Sequence, residues 1–78
     1  MSVQAYVLVQ TEVGATAGVR SAIAGIAGVV SAEDVTGPYD IIARVEAESI
    51  DDLGREVLSA IQQVGGITRT LTCPVVHL

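Results

Sequence analysis

Hydrophobic positions along the chain switch between two periods. Residues 3–11 (VQAYVLVQT) alternate, with Ala5, Val7 and Val9 on one face and Tyr6 and Leu8 on the other, the period-2 pattern of a strand. From Ala15 the spacing lengthens, and Ala15, Val19, Ile23 and Ile26 recur every three or four residues up to Gly28. That stripe predicts a helix closed by glycine. Residues 29–36 (VVSAEDVT) predict a second strand, followed by a Gly37-Pro38 turn, since glycine can take positive φ while proline fixes φ and lacks an amide hydrogen. Residues 39–47 (YDIIARVEA) return as a third strand. Ser49 is placed to cap a second helix, with Asp52 three residues on and Asp51 adding negative charge to the first turn. Its expected buried stripe is Ile50, Leu53, Val57, Ile61 and Val64; Gly65-Gly66 ends it, and residues 67–76 form a last strand in which Pro74 implies an edge position.

Laying the second half of the chain over the first at one constant offset pairs Ala15 with Leu53, Val19 with Val57, Ile23 with Ile61, Gly28 with Gly66 and Val29 with Ile67. The chain thus reads as two βαβ-type halves of one design, although any two amphipathic helices ending in glycine would align as well. Either way, the order strand, helix, strand, strand, helix, strand is the ferredoxin-like split βαβ order. It implies an α+β domain over residues 1–78, with a four-stranded antiparallel sheet and both helices on one face. The other face is left uncovered, displaying Tyr6, Leu8 and Ile42 beside Gln4 and Arg44. A second copy of the sheet is the expected cover, at about 10 Å separation, giving a dimeric α/β barrel.

Composition sharpens that picture. Half of the 78 residues are apolar, yet there is no Phe or Trp and only two Tyr. The core must come from Val, Ile, Leu and Ala, and so rich an apolar supply in a marginally small domain points to burial between subunits. The net charge of −5, from nine acids against four Arg and no Lys, is scattered, which argues against direct nucleic-acid binding. The absence of Lys also removes a P-loop. The single cysteine, Cys73, has no internal disulfide partner, the first residues lack a basic secretory n-region, and no apolar run approaches the roughly 20 residues of a membrane helix. A cytoplasmic location is expected.

Catalytic chemistry finds little material. His77, the only histidine, stands beside the C-terminus, and one histidine makes no zinc site. Cys73, within a strand and without a nearby histidine, reads as a small buried hydrophobe. Asp51, Asp52 and Glu56 read as a solvated helix face with Arg55 as a weak partner. No cofactor and no metal is expected. What remains is Thr36-Gly37-Pro38-Tyr39-Asp40, a hairpin that topology places at the same sheet end as Gln10 and Thr11 and as Thr68 and Thr70. Asp40 alternates out of phase with Ile41, Ala43 and Val45, and so points toward the open face. Either it accepts amides of its own turn, or it accepts a ligand ammonium while backbone amides and the Thr68 and Thr70 hydroxyls meet a ligand carboxylate. The strands carrying Asp40 and Thr68 flank the first strand and stand roughly 10 Å apart, so a neighbouring subunit would complete the pocket.

The strand AYVLVQ, the helix end IAGIAGVV, the hairpin TGPYDIIARV, the helix DDLGREVLSAIQQVGGI and the strand RTLT together resemble the ligand-binding domain of the Lrp/AsnC transcription regulators, the regulation of amino-acid metabolism domain. The Gly-x-x-Asp of the hairpin, Gly37 to Asp40, is the most specific part. The resemblance implies a dimer through facing sheets, with Tyr6, Leu8, Ile42 and Arg44 in the interface, assembly of dimers into rings, and amino-acid effectors bound between dimers. Gly37, Tyr39 and Asp40 would be the hairpin part of that pocket, and Thr68 and Thr70 candidates from the last strand. The helix-turn-helix domain that precedes this module in the regulators is expected to be missing, with full-length regulators as co-assembly partners. Two other functions fit the same elements: a small dimeric α/β-barrel enzyme, similar to monooxygenases or muconolactone isomerases, with substrate against Tyr6, Arg44 and Tyr39; or an interaction module that binds no ligand.

Overall fold

The computed structural model describes residues 2–78. The order is β1 (Val3–Thr11), α1 (Thr16–Ala24), β2 (Val29–Asp34), β3 (Ile41–Ala47), a second helix α2, and β4 (Ile67–Pro74). The four strands form one antiparallel sheet in the order β2-β3-β1-β4, the split βαβ arrangement expected. β4 is an edge strand, which accommodates the missing amide of Pro74.

The alternation in β1 and β3 sorts the sheet into two faces. Ala5, Val7 and Val9 of β1 and Ile41, Ala43 and Val45 of β3 are fully buried, together with Val19 and Ile23 of α1 and Leu53, Val57 and Ile61 of α2. Both helices therefore cover one face, and the core is aliphatic throughout. Ile50 does not join the stripe: it is 56% exposed, because it opens the helix ahead of the turn that reaches the sheet. Strand limits are tighter than the hydrophobic pattern implies. β2 stops at Asp34, β3 starts at Ile41 and β4 stops at Pro74. Between β2 and β3 the Gly37-Pro38 turn, with Gly37 at φ 127°, takes up the intervening residues.

α1 ends at Ala24, short of Gly28, and Ile26 packs on the core from the turn that follows. Ser49 caps α2 as expected, its hydroxyl accepting the Asp52 amide at 3.1 Å; the Asp52 carboxylate turns instead to Arg55 at 2.8 Å. α2 runs through three consecutive segments, α-helical Ile50–Asp52, π-helical Leu53–Leu58 and α-helical Ser59–Gln62. Within it Leu53, Val57 and Ile61 repeat every fourth residue, wider than the α-helical period of about 3.6. The wider π winding keeps all three on the sheet.

The two halves are related in space as well as in sequence. Gly28 and Gly66 adopt φ 95° and 96°, and each lies under the opposite helix: a Cβ on Gly28 would stand 2.5 Å from a Val57 methyl, and one on Gly66 would stand 3.0 Å from a Val19 methyl. Glu46 donates its amide to the Gly28 carbonyl at 2.8 Å, and Glu12 donates to Gly66 at 2.9 Å. Glu12 and Glu46 lie closer together in sequence than Gly28 and Gly66 do, by about one helical turn. That extra turn lies in α2, whose segments of three, six and four residues compare with nine in α1.

Candidate functional site

At one end of the sheet the β1–β3 ladder stops at Val9 and Ile41, and side chains take over from backbone pairing. The Asp40 amide still donates to the Val9 carbonyl at 2.9 Å. The Asp40 carboxylate then accepts the Thr11 amide at 2.8 Å and the Thr11 hydroxyl at 3.2 Å, both through Oδ2. The Thr11 hydroxyl also meets the Thr16 hydroxyl at 2.8 Å, at the start of α1. Asp40 is thus turned along the sheet end toward α1. Strand alternation alone aims it at the open face, but Asp40 precedes β3, and the unpaired Thr11 amide draws the carboxylate in. Its donor comes from β1, not from its own turn.

Gln10 joins the other two segments. Its side-chain amide donates to the Pro38 carbonyl at 3.3 Å, while the Thr68 hydroxyl donates to the Gln10 carbonyl at 3.1 Å. The hairpin, the end of β1 and the start of β4 therefore converge, as the topology requires. Thr68 belongs to this cluster. Thr70 does not: it pairs with Val9 in the β1–β4 register and so shares the helix-covered side of the sheet. Gly37 lies exposed at the turn, and Tyr39 is half-buried beside Asp40. Gln10 and Thr11, placed at this end by topology, join Asp40 and the hairpin here; Thr16, at the start of α1, joins through the Thr11 hydroxyl, and nothing in its local sequence marks it.

The open face is built of two rows read across the strands. Leu71, Leu8, Ile42 and Glu33 are successive partners in one, and Cys73, Tyr6, Arg44 and Ser31 in the other. Tyr6 is 43% and Leu71 45% exposed, large apolar groups held side by side on a rigid sheet. Arg44 donates to the Gln4 side chain at 2.9 Å. Cys73 is exposed on this face, not buried, because β4 residues facing Tyr6 and Leu8 fall on the uncovered side. His77 is exposed beyond β4. Among the described residues no cluster of three or more His, Cys, Asp or Glu side chains could hold a metal, and no helix is long and apolar enough to cross a membrane.

The family model described as the Lrp/AsnC ligand binding domain matches residues 4–77. Among solved structures, the chain is similar to TTHA0845 from Thermus thermophilus, at 29% identity and a TM-score of 0.89, covering 97% of this chain and 95% of that one. It is also similar to AsnC of E. coli, at 23% identity and a TM-score of 0.88, with 97% of this chain covered. Only 52% of AsnC is spanned. The transcriptional regulator NMB0573 of Neisseria meningitidis, solved as its L-Met complex, shares the fold at 17% identity and a TM-score of 0.83, with 96% and 50% covered. No curated protein sequence matches the chain.

Proposed function

The chain belongs to the Lrp/AsnC ligand-binding domain family, and from that premise we propose that it is an oligomeric regulatory module whose effector is an amino acid. The observation that carries the proposal is the convergence of Asp40, Gln10, Thr11 and Thr68 at one end of the sheet. An ionised carboxylate has about four acceptor positions. Thr11 occupies two of them on Oδ2, leaving Oδ1 to accept from a ligand ammonium. Thr68, Gly37 and Tyr39 form the rest of this subunit's contribution. Because β3 and β4 flank β1, Asp40 and Thr68 stand roughly 10 Å apart, and a neighbouring subunit closes the pocket. Pairing both charges of a zwitterion avoids leaving an uncompensated buried ion. The L-Met named for the Neisseria protein supports amino acids as the class to test.

The same proposal includes a dimer through the uncovered sheet face. Tyr6, Leu8 and Ile42 supply the apolar contact, from which facing sheets at about 10 Å spacing exclude water, and Arg44 stands at its polar margin. Higher rings of such dimers would bring the hairpins together, and full-length regulators of the family are the proposed partners in mixed assemblies.

A thermal-shift panel of the common L-amino acids tests the effector. A ligand at a hundred times its Kd stabilises the folded state by about 2.7 kcal/mol, a readily measured rise in Tm. Asp40→Ala is expected to abolish that rise. It also leaves the Thr11 amide without its acceptor, at a cost of about 1–3 kcal/mol, so circular dichroism must confirm the fold and Asp40→Asn serves as the milder variant. A panel without any shift in the wild-type protein would sink the effector proposal.

A further inference from the structure

The hydroxyl bonds beside the hairpin have a fixed direction. A threonine hydroxyl carries a single hydrogen, whereas an ionised carboxylate can only accept. At 3.2 Å from Asp40 Oδ2 the Thr11 hydroxyl therefore donates to the carboxylate. Its oxygen is left to accept, so in the 2.8 Å contact between the Thr11 and Thr16 hydroxyls the donor is Thr16. The reverse direction would set the Thr11 oxygen against Oδ2 with no hydrogen between them. A relay thus runs from Thr16 on α1 through Thr11 on β1 to Asp40, which lies 29 residues from Thr11 in sequence. Such bonds in series polarise one another. The Thr11 amide donates to the same Oδ2 at 2.8 Å, and neither bond uses Oδ1.

Two further observations set this relay apart. Thr11 follows Ala5, Val7 and Val9 in the β1 alternation, so the relay lies on the helix-covered side of the sheet, away from Tyr6, Leu8 and Ile42. Nor does α1 use Thr16 to cap itself. Its N-cap is Ala15, which makes no side-chain cap bond and is among the poorest residues for that position. The first hydroxyl of the helix is directed to β1 instead.

From this we infer that Thr16 is a positioning residue for Asp40. It holds the Thr11 side chain in the rotamer that donates to Oδ2, and through it turns the carboxylate. Without the Thr16 hydroxyl, Thr11 is anchored at one side only, and its other staggered rotamers carry the hydroxyl away from Asp40. Oδ1 is then no longer presented in one direction to the effector, a last step that rests on the reading proposed above.

Nuclear magnetic resonance of the wild-type chain and its variants tests the relay without any ligand. The Thr11 Hα–Hβ coupling reports its rotamer, and the Asp40 carboxyl carbon shift reports its bonds. Thr16→Val, close to threonine in shape and helix propensity, should average the coupling and move the carboxyl resonance, while Thr16→Ser keeps both. Thr16→Ala, with the best helix former in place, is the second variant should Thr16→Val unfold. In the thermal-shift panel of common L-amino acids, Thr16→Val should raise the concentration for half the shift about threefold to tenfold. Thr16→Ser should change it less than about twofold. Adding Thr16→Val to Thr11→Val should give no loss beyond that of Thr11→Val alone, because one residue acts through the other. An unchanged Thr11 coupling and Asp40 resonance without the Thr16 hydroxyl overturn the relay. Losses that add in the double variant, or equal losses in Thr16→Ser and Thr16→Val, overturn it as well. If no amino acid shifts the wild-type protein, the effector reading alone falls, and a coupling that averages in Thr16→Val still upholds Thr16 as the residue that positions Asp40.

Discussion

Gly28 is where a single methyl group should cost most. At φ 95° it holds a backbone conformation that disfavours an L side chain by roughly 1–2 kcal/mol. A Cβ there would also stand 2.5 Å from a Val57 methyl and 3.0 Å from the Glu46 carbonyl oxygen. Val57 is 3% exposed and anchored on the sheet, and the Glu46 carbonyl belongs to β3, so neither can retreat freely. Overpacking of this kind costs about 1–3 kcal/mol. Gly28→Ala is therefore expected to lose about 2–5 kcal/mol, a large part of the roughly 4–12 kcal/mol that a chain of 78 residues commands. Gly14→Ala is the control: its φ is 83°, but nothing lies within 4 Å of its Cβ position, so only the conformational part remains. Urea unfolding at one fixed protein concentration measures both, because an oligomer's midpoint depends on concentration. Adding Val57→Ala to Gly28→Ala should recover about 1–3 kcal/mol relative to the sum of the single changes. If Gly28→Ala falls within about 0.5 kcal/mol of Gly14→Ala, or if the cycle is additive, the close approach of the two halves is not what requires glycine.

Other sites give independent expectations. Ser49→Ala removes the hydroxyl that accepts the Asp52 amide and should cost about 1 kcal/mol in urea unfolding, whereas Ser49→Asn, which keeps a side-chain acceptor, should cost little; equal losses would show that the cap bond is not the source. Leu8→Asp places a carboxylate between Ile42 and Leu71 and should leave a folded monomer by sedimentation at micromolar concentration, whereas a persistent dimer would put the contact elsewhere. Arg20→Ala breaks a 3.1 Å pair with Asp34 whose side chains are 38% and 53% exposed. Its cost should stay below about 1 kcal/mol and shrink further in high salt, and a larger, salt-independent loss would contradict a solvated pair.

Much of the candidate site is legible in sequence only in outline. Topology alone brings the Gly37-Pro38 turn and the polar residues Gln10, Thr11 and Thr68 to one end of the sheet, and they meet there. The direction of the Asp40 carboxylate is not legible, because alternation holds only inside a strand and Asp40 stands one residue before β3. Closeness in sequence to Thr68 assigns Thr70 to the cluster, yet its pairing with Val9 puts it on the covered side. Residue type reads Cys73 as buried, while the β4 register sets it on the open face opposite Tyr6.

The amino-acid sequence by itself determined the element order, the core stripes and the split βαβ topology, because periodicity, caps and turn residues act over a few positions and few folds accept that order. Only the tertiary structure decided the π winding of α2, the locking of Gly28 under Val57 and Gly66 under Val19, and the bonds that turn Asp40 to Thr11. Those features arise between residues distant along the chain, where register and packing, rather than local preference, fix which groups meet.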